Sequence, residues 1–330
     1  MEKIDFVIPW VDGNDENWKR EFWKYNPEKD TDSNESRYRD WGMLPYWFRS
    51  VEKFAPWVNR IWFVTWGHVP AWLNTDHEKL RIVRHEDYLK PEYLPTFNSH
   101  TIELNFHRIE GLAVQFVYFN DDMFLLQPVK PEDFFVKGLP RDCCIETALA
   151  QDRYENPFAH ILMNDSALVN MHYQKHERIR RYPGKWFSPA YGMMALRNLL
   201  MLPYREFSGF KFTHQPSPFL KETFERLWQE EGERLDIVCR HKFRSASDVN
   251  QYVMKYWQYM EGKFVPQSPK TGRFCIIGKD DEKILKALEK QDCKTICLND
   301  EDELQDFEER RKRFLDAFRK ILPESSSFEK

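Results

Sequence analysis

Short apolar runs rich in β-branched and aromatic residues, at 4–9, 61–65, 80–83, 116–119 and 143–145, predict buried strands. Between them the period changes. Leu44, Trp47, Phe48 and Val51 fall at i, i+3, i+4 and i+7, and Val249, Tyr252, Val253 and Tyr256 repeat that stripe behind Ser247, a candidate cap. Strands alternating with helices predict an α/β fold: a largely parallel central sheet with helices on both faces. The proline-rich stretch at 265–272 punctuates the chain. Beyond it come strand-like runs at 274–277 and 295–298 and a long charged helix, so the expected division is a domain over 1–270 and a small C-terminal α/β subdomain over 271–330. In that last helix Leu304, Phe307, Phe314, Phe318 and Ile321 form a stripe opposite a charged face, which predicts docking on the core in preference to lying on a membrane surface.

A chain of 330 residues can bury a sizeable core, and with 49 Lys and Arg against 53 acidic residues it has no global basic field for nucleic acid. Any anionic ligand must be met locally. The start enters a short apolar run directly, which predicts no export signal, and no run has the roughly 18 apolar residues of a membrane span. Six cysteines lying mostly in apolar runs predict reduced core thiols and a cytoplasmic location. Cys293 and Cys297 lack the spacing and companions of a metal site.

In open α/β sheets ligands sit at the carboxyl ends of strands, so the polar residues after each strand-like run are the first candidates. After the first run comes Trp10-Val11-Asp12-Gly13-Asn14, a turn with a ring face for a base or sugar. After the fourth comes Asn120-Asp121-Asp122, two carboxylates between apolar runs, whose desolvation calls for a cation or a hydrogen-bond network. The stretch 96–108 reads as a cap and a helix, with Glu103 and His107 one turn apart; a surface pair is the simpler reading of that spacing. His214 lies in a proline-stiffened loop and is a candidate base, although a lone loop histidine is usually inert. Arg240, His241, Lys242 and Arg244 precede a helix start, a setting that suits phosphate oxygens or simply solvated charge.

Taken together, these blocks resemble the Stealth family of hexose-1-phosphoryl transferases over close to the full chain. The stretch 4–15 is similar to the family's first conserved region. Arg37-Tyr38-Arg39-Asp40, 48–58, 63–73 and 94–123 resemble the second, Thr213-His214-Gln215-Pro216 and 243–248 the third, and 295–300 the fourth. One departure is Met43-Leu44-Pro45-Tyr46-Trp47, where many relatives carry Glu-Leu-Arg-Tyr-Ser.

The resemblance implies a nucleotide-sugar-transferase-like (Rossmann-like or GT-A-like) sheet and transfer of a sugar-1-phosphate from a donor such as UDP-N-acetylglucosamine. The acceptor would be a glycan or lipid-linked glycan, in capsule or exopolysaccharide synthesis, and peripheral association at the inner face of the membrane would be compatible with that role. It carries functional roles to Glu103, Asp122, His214 and Arg244, and donor binding to Trp10, Asp12, Gly13, Asn14, Arg49, Asn98, Asp121 and Asp248. Mg²⁺ or Mn²⁺ would sit on Asp122 with Asp121. Two rival readings stay open: a metal-dependent glycosyltransferase releasing a nucleoside diphosphate, and a glycan-binding protein without turnover.

Overall fold

The computed structural model describes residues 2–26, 38–151, 157–301 and 304–330; Arg37 lies outside them. Its strands are β1 (Ile4–Trp10), β2 (Ile61–Thr65), β3 (Leu80–Arg84), β4 (Gln115–Tyr118), β5 (Met123–Leu125), β6 (Phe135–Val136), β7 (Leu139–Asp142), β8 (Ser217–Leu220), β9 (Val265–Pro266), β10 (Gly272–Ile276) and β11 (Thr295–Asn299). The main sheet has the order β3-β2-β1-β4-β8, in which the first four strands are parallel and β8 runs antiparallel to β4. The fold is therefore α/β with a largely parallel sheet.

Both faces of that sheet are buried, because neighbouring residues on each strand point to opposite sides and both sides are apolar. Phe6, Ile8, Ile61, Phe63 and Val117 enter one hydrophobic cluster with Trp47, Phe48 and Val51 of the helix Leu44–Phe54. Val7, Trp62, Val64, Phe116 and Tyr118 enter a second cluster with Tyr252, Val253 and Tyr256 of the helix Tyr252–Glu261. The two helical stripes legible in the sequence thus cover opposite faces of one sheet.

Three local expectations differ. The apolar run 143–145 forms no strand: β7 ends at Asp142, and the Cys144 carbonyl accepts from Asn198 Nδ2 at 2.9 Å instead of from a ladder. A short buried run reads the same in either conformation. Ser247 caps no helix, since 245–248 close a turn through Asp248 N–H to Ser245 O at 3.0 Å and the helix begins at Tyr252. The helix Ser99–Leu104 stops at Asn105, so His107 sits in a separate 3₁₀ turn facing Phe224 and Trp228 rather than one turn beyond Glu103.

The residues after 271 are stitched into the rest. β11 pairs antiparallel with β5 and parallel with β10, and Phe314, Phe318 and Phe328 belong to the same cluster as Phe6 and Phe48. The apolar stripe of the helix Phe307–Ile321 is thereby buried against the core: Phe318 stacks on Tyr46 with ring centroids 5.4 Å apart. Arg49 belongs to this join. Its Nη2 lies 2.6 Å from Glu329 Oε2, its Nε donates to Glu329 Oε1 at 2.8 Å, and its Nη1 donates to Leu322 O at 3.1 Å. That corrects the donor-binding role expected for Arg49: a guanidinium held on three sides by the C-terminal tail does not line the cavity described below. The Glu329 hydrogen bond and charge raise the Arg49 pKa further.

Two predictions follow from these contacts. Arg49→Met leaves the Glu329 carboxylate without its partner and lowers unfolding free energy by about 2–3 kcal/mol in urea titrations, with turnover at saturating donor retained. A large loss of turnover in a stable variant would restore Arg49 to the donor site. For His107, burial and then the Arg108 charge push the pKa down to about 3, and its Nδ1 has no partner. The unfolded chain, with an ordinary imidazole near 6.5, takes up the proton first as pH falls, so the stabilising difference is full above that value and declines toward pH 3. Relative to His107→Phe, the wild type should lose about 1–2 kcal/mol between neutral pH and about pH 5; a pH-independent difference contradicts this.

Candidate active site

The carboxyl ends of β1 and β4 open into a cavity of about 1220 Å³ whose lining includes Trp10, Asp12, Glu103, Asp122, His214 and Arg244. Each arrives by a different route. β8 runs antiparallel to β4 with Tyr118 opposite Ser217, so the chain just before β8 lies beyond the carboxyl end of β4 and sets His214 beside Asn120. β11 pairs with β5 so that Cys297 faces Met123, which brings the Cys297 thiol to Asp122. Glu103 comes from the last turn of the helix Ser99–Leu104.

These groups form one hydrogen-bonded row. The Tyr118 hydroxyl donates to Glu103 Oε1 at 2.9 Å and also contacts Asn120 Oδ1; Asn120 Nδ2 lies 3.3 Å from His214 Nε2, which lies 3.5 Å from Asp122 Oδ2. Tyr252 holds the other ring nitrogen of His214 at 3.2 Å, and Phe212 stacks on the imidazole with centroids 5.1 Å apart. His214 adopts φ +39°, the left-handed region that a non-glycine residue occupies only when its surroundings over-determine it. The backbone conformation is strained in favour of one imidazole position.

Arg244 reaches the cavity because a buried carboxylate organises its loop. Asp248 is fully buried and accepts from Asn98 Nδ2 at 3.0 Å, His100 Nδ1 at 2.9 Å, His241 Nδ1 at 2.6 Å and Ser245 N–H at 3.0 Å. Burial opposes its charge, but the hydrogen bond from His100, then those from His241 and Ser245 N–H, outweigh it and hold its carboxyl below the usual range. His100 is buried strongly enough to keep its imidazole pKa below the ordinary value despite Asp248, so a carboxylate accepts from a neutral ring. The loop so held presents Arg244, whose Nη2 donates to Ser99 Oγ at 2.8 Å.

The residues expected to bind donor divide accordingly. Trp10, Asp12 and Asp121 line the cavity. Asn98 and Asp248 are buried beneath it and do not line it; their side chains hold each other and the Arg244 loop, which corrects the direct donor contact expected for them. Gly13 and Asn14 also stand outside the lining. Gly13 passes so close to Tyr38 that a Cβ would meet the Tyr38 carbonyl oxygen at 2.4 Å, and Asn14 N–H donates to Asp12 Oδ1 at 2.8 Å, so both shape the turn that carries Asp12. Residues absent from the expectation are His100, Tyr118, Tyr252 and Cys297. Only Tyr118, at the end of a strand-like run and three positions before the acidic pair, had a signal in its position.

Asp122 Oδ1 is buried with no protein donor, while Oδ2 accepts the Cys297 thiol at 3.2 Å. Asp122, His214 and Cys297 each offer one possible ligand atom, all within 4.8 Å of one another, a cluster the cysteine spacing did not suggest. Burial and then Asp122 keep the Cys297 thiol well above its usual pKa, so it is a protonated donor rather than a thiolate ligand. The oxygen without a donor fits a hard divalent cation such as Mg²⁺ or Mn²⁺, with the Asp121 carboxylate adjacent in sequence. For Asp121, desolvation and then the Asp122 charge raise the pKa; its side chain is nonetheless reached by solvent from the cavity, so the neighbouring charge is the firmer cause.

Fold and cavity together define an α/β protein with a candidate ligand site at the carboxyl ends of parallel strands. Residues 2–29 match Stealth protein CR1, conserved region 1, and residues 37–141 match Stealth protein CR2, conserved region 2. The capsular polysaccharide phosphotransferase WcwK of Streptococcus pneumoniae is 40% identical over 334 residues, covering 100% of this chain and 99% of its own. The receptor polysaccharide phosphotransferase WefC of Streptococcus gordonii is 39% identical with the same coverage, and the exopolysaccharide phosphotransferase cps2G of Lactiplantibacillus plantarum is 36% identical over 99% of this chain and 96% of its own. The chain belongs to the Stealth family and is a phosphotransferase. Among solved structures, the galactosyltransferase LgtC in complex with donor and acceptor sugar analogues aligns over 98% of both chains at 10% identity with a TM-score of 0.44. That likeness is weak, and the fold stands on the strand order instead.

Asp248→Asn keeps the side-chain shape but turns part of an acceptor surrounded by donors into a donor. It should raise the donor KM by roughly tenfold or more through the loosened Arg244 loop, with His100→Gln weaker. An unchanged KM in a folded variant would detach Asp248 from Arg244.

Proposed function

We propose that the enzyme moves a hexose-1-phosphate, such as N-acetylglucosamine-1-phosphate, from a nucleotide-diphosphate sugar to a hydroxyl of a glycan or lipid-linked glycan. The products would be a phosphodiester and a nucleoside monophosphate, in capsule or exopolysaccharide synthesis. The observation that carries this reading is the convergence of Glu103, Asp122, His214 and Arg244 on one cavity from four separate elements of the chain.

The acceptor oxygen attacks the sugar-side phosphorus, the bond to the nucleotide phosphate oxygen breaks, and the anomeric C1–O bond survives. Rate enhancement in such a transfer comes from alignment and from neutralising charge on the phosphoryl oxygens. Arg244 grips those oxygens; its tie to Ser99 pre-sets the guanidinium. Trp10 offers a ring face to the nucleotide or sugar at the end of β1. His214 takes the acceptor proton: the product imidazolium then has the Asp122 carboxylate 3.5 Å from Nε2. Glu103, buried behind Tyr118, positions His214 through the polar row. Asp122 with Asp121 would hold a divalent cation, which supplies positive charge to a bound diphosphate.

Incubation with nucleotide sugars and acceptor glycan, read by mass spectrometry, should yield the nucleoside monophosphate; a nucleoside diphosphate would make the protein a glycosyltransferase, and binding without either product a lectin. His214→Ala should cut kcat by roughly 10²–10⁴ with folding intact. Near-normal turnover would move the base to Glu103.

A further inference from the structure

The segment around the helix Ala195–Leu200 is inside out. Its polar Asn198 is buried, donating to Cys144 O at 2.9 Å and Trp186 O at 2.6 Å and accepting from Glu146 N–H at 2.7 Å. Leu196, Leu199 and Leu200, at i, i+3 and i+4, point the other way and are 48%, 48% and 73% exposed. Met193 before them is 80% exposed and Tyr204 after them 58%. Three polar anchors on the inner face hold the helix in this orientation, so the leucines cannot be turned inward without orphaning Asn198 and two carbonyls. Single exposed apolar residues are ordinary; five within twelve positions of chain on one short element are not.

Charge says what covers them. From Arg178 to Arg205 the chain has no acidic residue, while it carries Arg178, Arg180, Arg181, Lys185, Arg197 and Arg205, in a protein of net charge −4. Lys185 is engaged by the Gly262 and Phe264 carbonyls, and Arg178 is mostly covered, but Arg180, Arg181, Arg197 and Arg205 are exposed. Glu206 pairs with Arg205 at 3.5 Å at the edge of the segment, both side chains open to solvent. Three leucines and Met193 facing out, an aromatic ring at the margin and arginines without interspersed acids match the two layers of a bilayer surface, acyl chains below and anionic headgroups above. A protein groove would need no such excess of one sign. The helix Phe307–Ile321, the alternative amphipathic candidate in the sequence, has its aromatic stripe buried against the core.

We propose that residues 193–205 form a docking surface for an anionic lipid bilayer, which holds this phosphotransferase at the membrane although no helix among the described residues is long and apolar enough to cross one. The whole protein is tested by co-sedimentation with phosphatidylcholine vesicles with and without phosphatidylglycerol. Wild type should bind the anionic vesicles, weakly or not at all the neutral ones, and dissociate as salt rises. Leu199→Glu with Leu200→Glu should weaken binding roughly tenfold or more, and Arg197→Ser with Arg205→Ser, which leaves the apolar face intact, should lower it severalfold and flatten its salt dependence. Circular dichroism and light scattering accompany each variant. Wild type that stays in the supernatant with anionic vesicles, equal binding by both folded double variants, or a wild-type dimer that the leucine variant converts to monomer would overturn the proposal, the last in favour of contact between copies.

Discussion

The cavity depends on one strand running the wrong way. β8 joins the edge of an otherwise parallel sheet antiparallel to β4, with Tyr118 opposite Ser217. A parallel strand there would deliver the preceding loop to the amino end of the sheet, far from the acids that follow β4. The antiparallel edge places residues before β8 and residues after β4 at the same end, so His214 meets Asn120 and Asp122 across a single hydrogen-bonded row. β11 makes the equivalent move against β5 and sets a protonated thiol on Asp122. Two strands reversed against their neighbours thus gather groups from the middle and the end of the chain around the acids that follow β4.

Two carboxylates at this site are treated in opposite ways. Asp248 has donors on both oxygens, which compensates the cost of burying its charge and makes it a fixed internal anchor for the Arg244 loop. Asp122 has one oxygen, Oδ2, satisfied by Cys297 and the other, Oδ1, buried without a protein donor. A group of the first kind gains nothing from a ligand. One of the second kind is stabilised by a ligand that brings positive charge or a hydrogen, and its partner-free oxygen is oriented in advance by the satisfied one.

Much of the fold was legible because the relevant signals are local. The strands at 61–65 and 80–84 follow from compact runs of β-branched and other apolar residues, and the helix Leu44–Phe54 from its i, i+3, i+4, i+7 stripe. The run at 143–145 misled for the complementary reason: burial without a period does not specify a backbone conformation. Arg49 misled differently. It lies within residues 37–141, which match conserved region 2, and lying in a matched region does not distinguish an arginine that meets a ligand from one that clamps the C-terminal tail through Glu329. Asn98 and Asp248 are an intermediate case, close to the cavity yet turned toward each other.

The amino-acid order by itself determined the alternation of strands and helices, the apolar faces that must be covered, and the placement of candidate acids, imidazole and guanidinium at the ends of strand-like runs. Those properties reside in neighbouring residues and the fixed repeats of helix and strand. Only the tertiary structure decided that Cys297 meets Asp122, that Asp248 supports Arg244 from below, and that the leucines of the helix Ala195–Leu200 face out while Asn198 faces in. Each of these is a contact between segments distant in sequence or a choice of which helix face turns inward, and both are set by where the strands pair and which polar groups must find partners once buried.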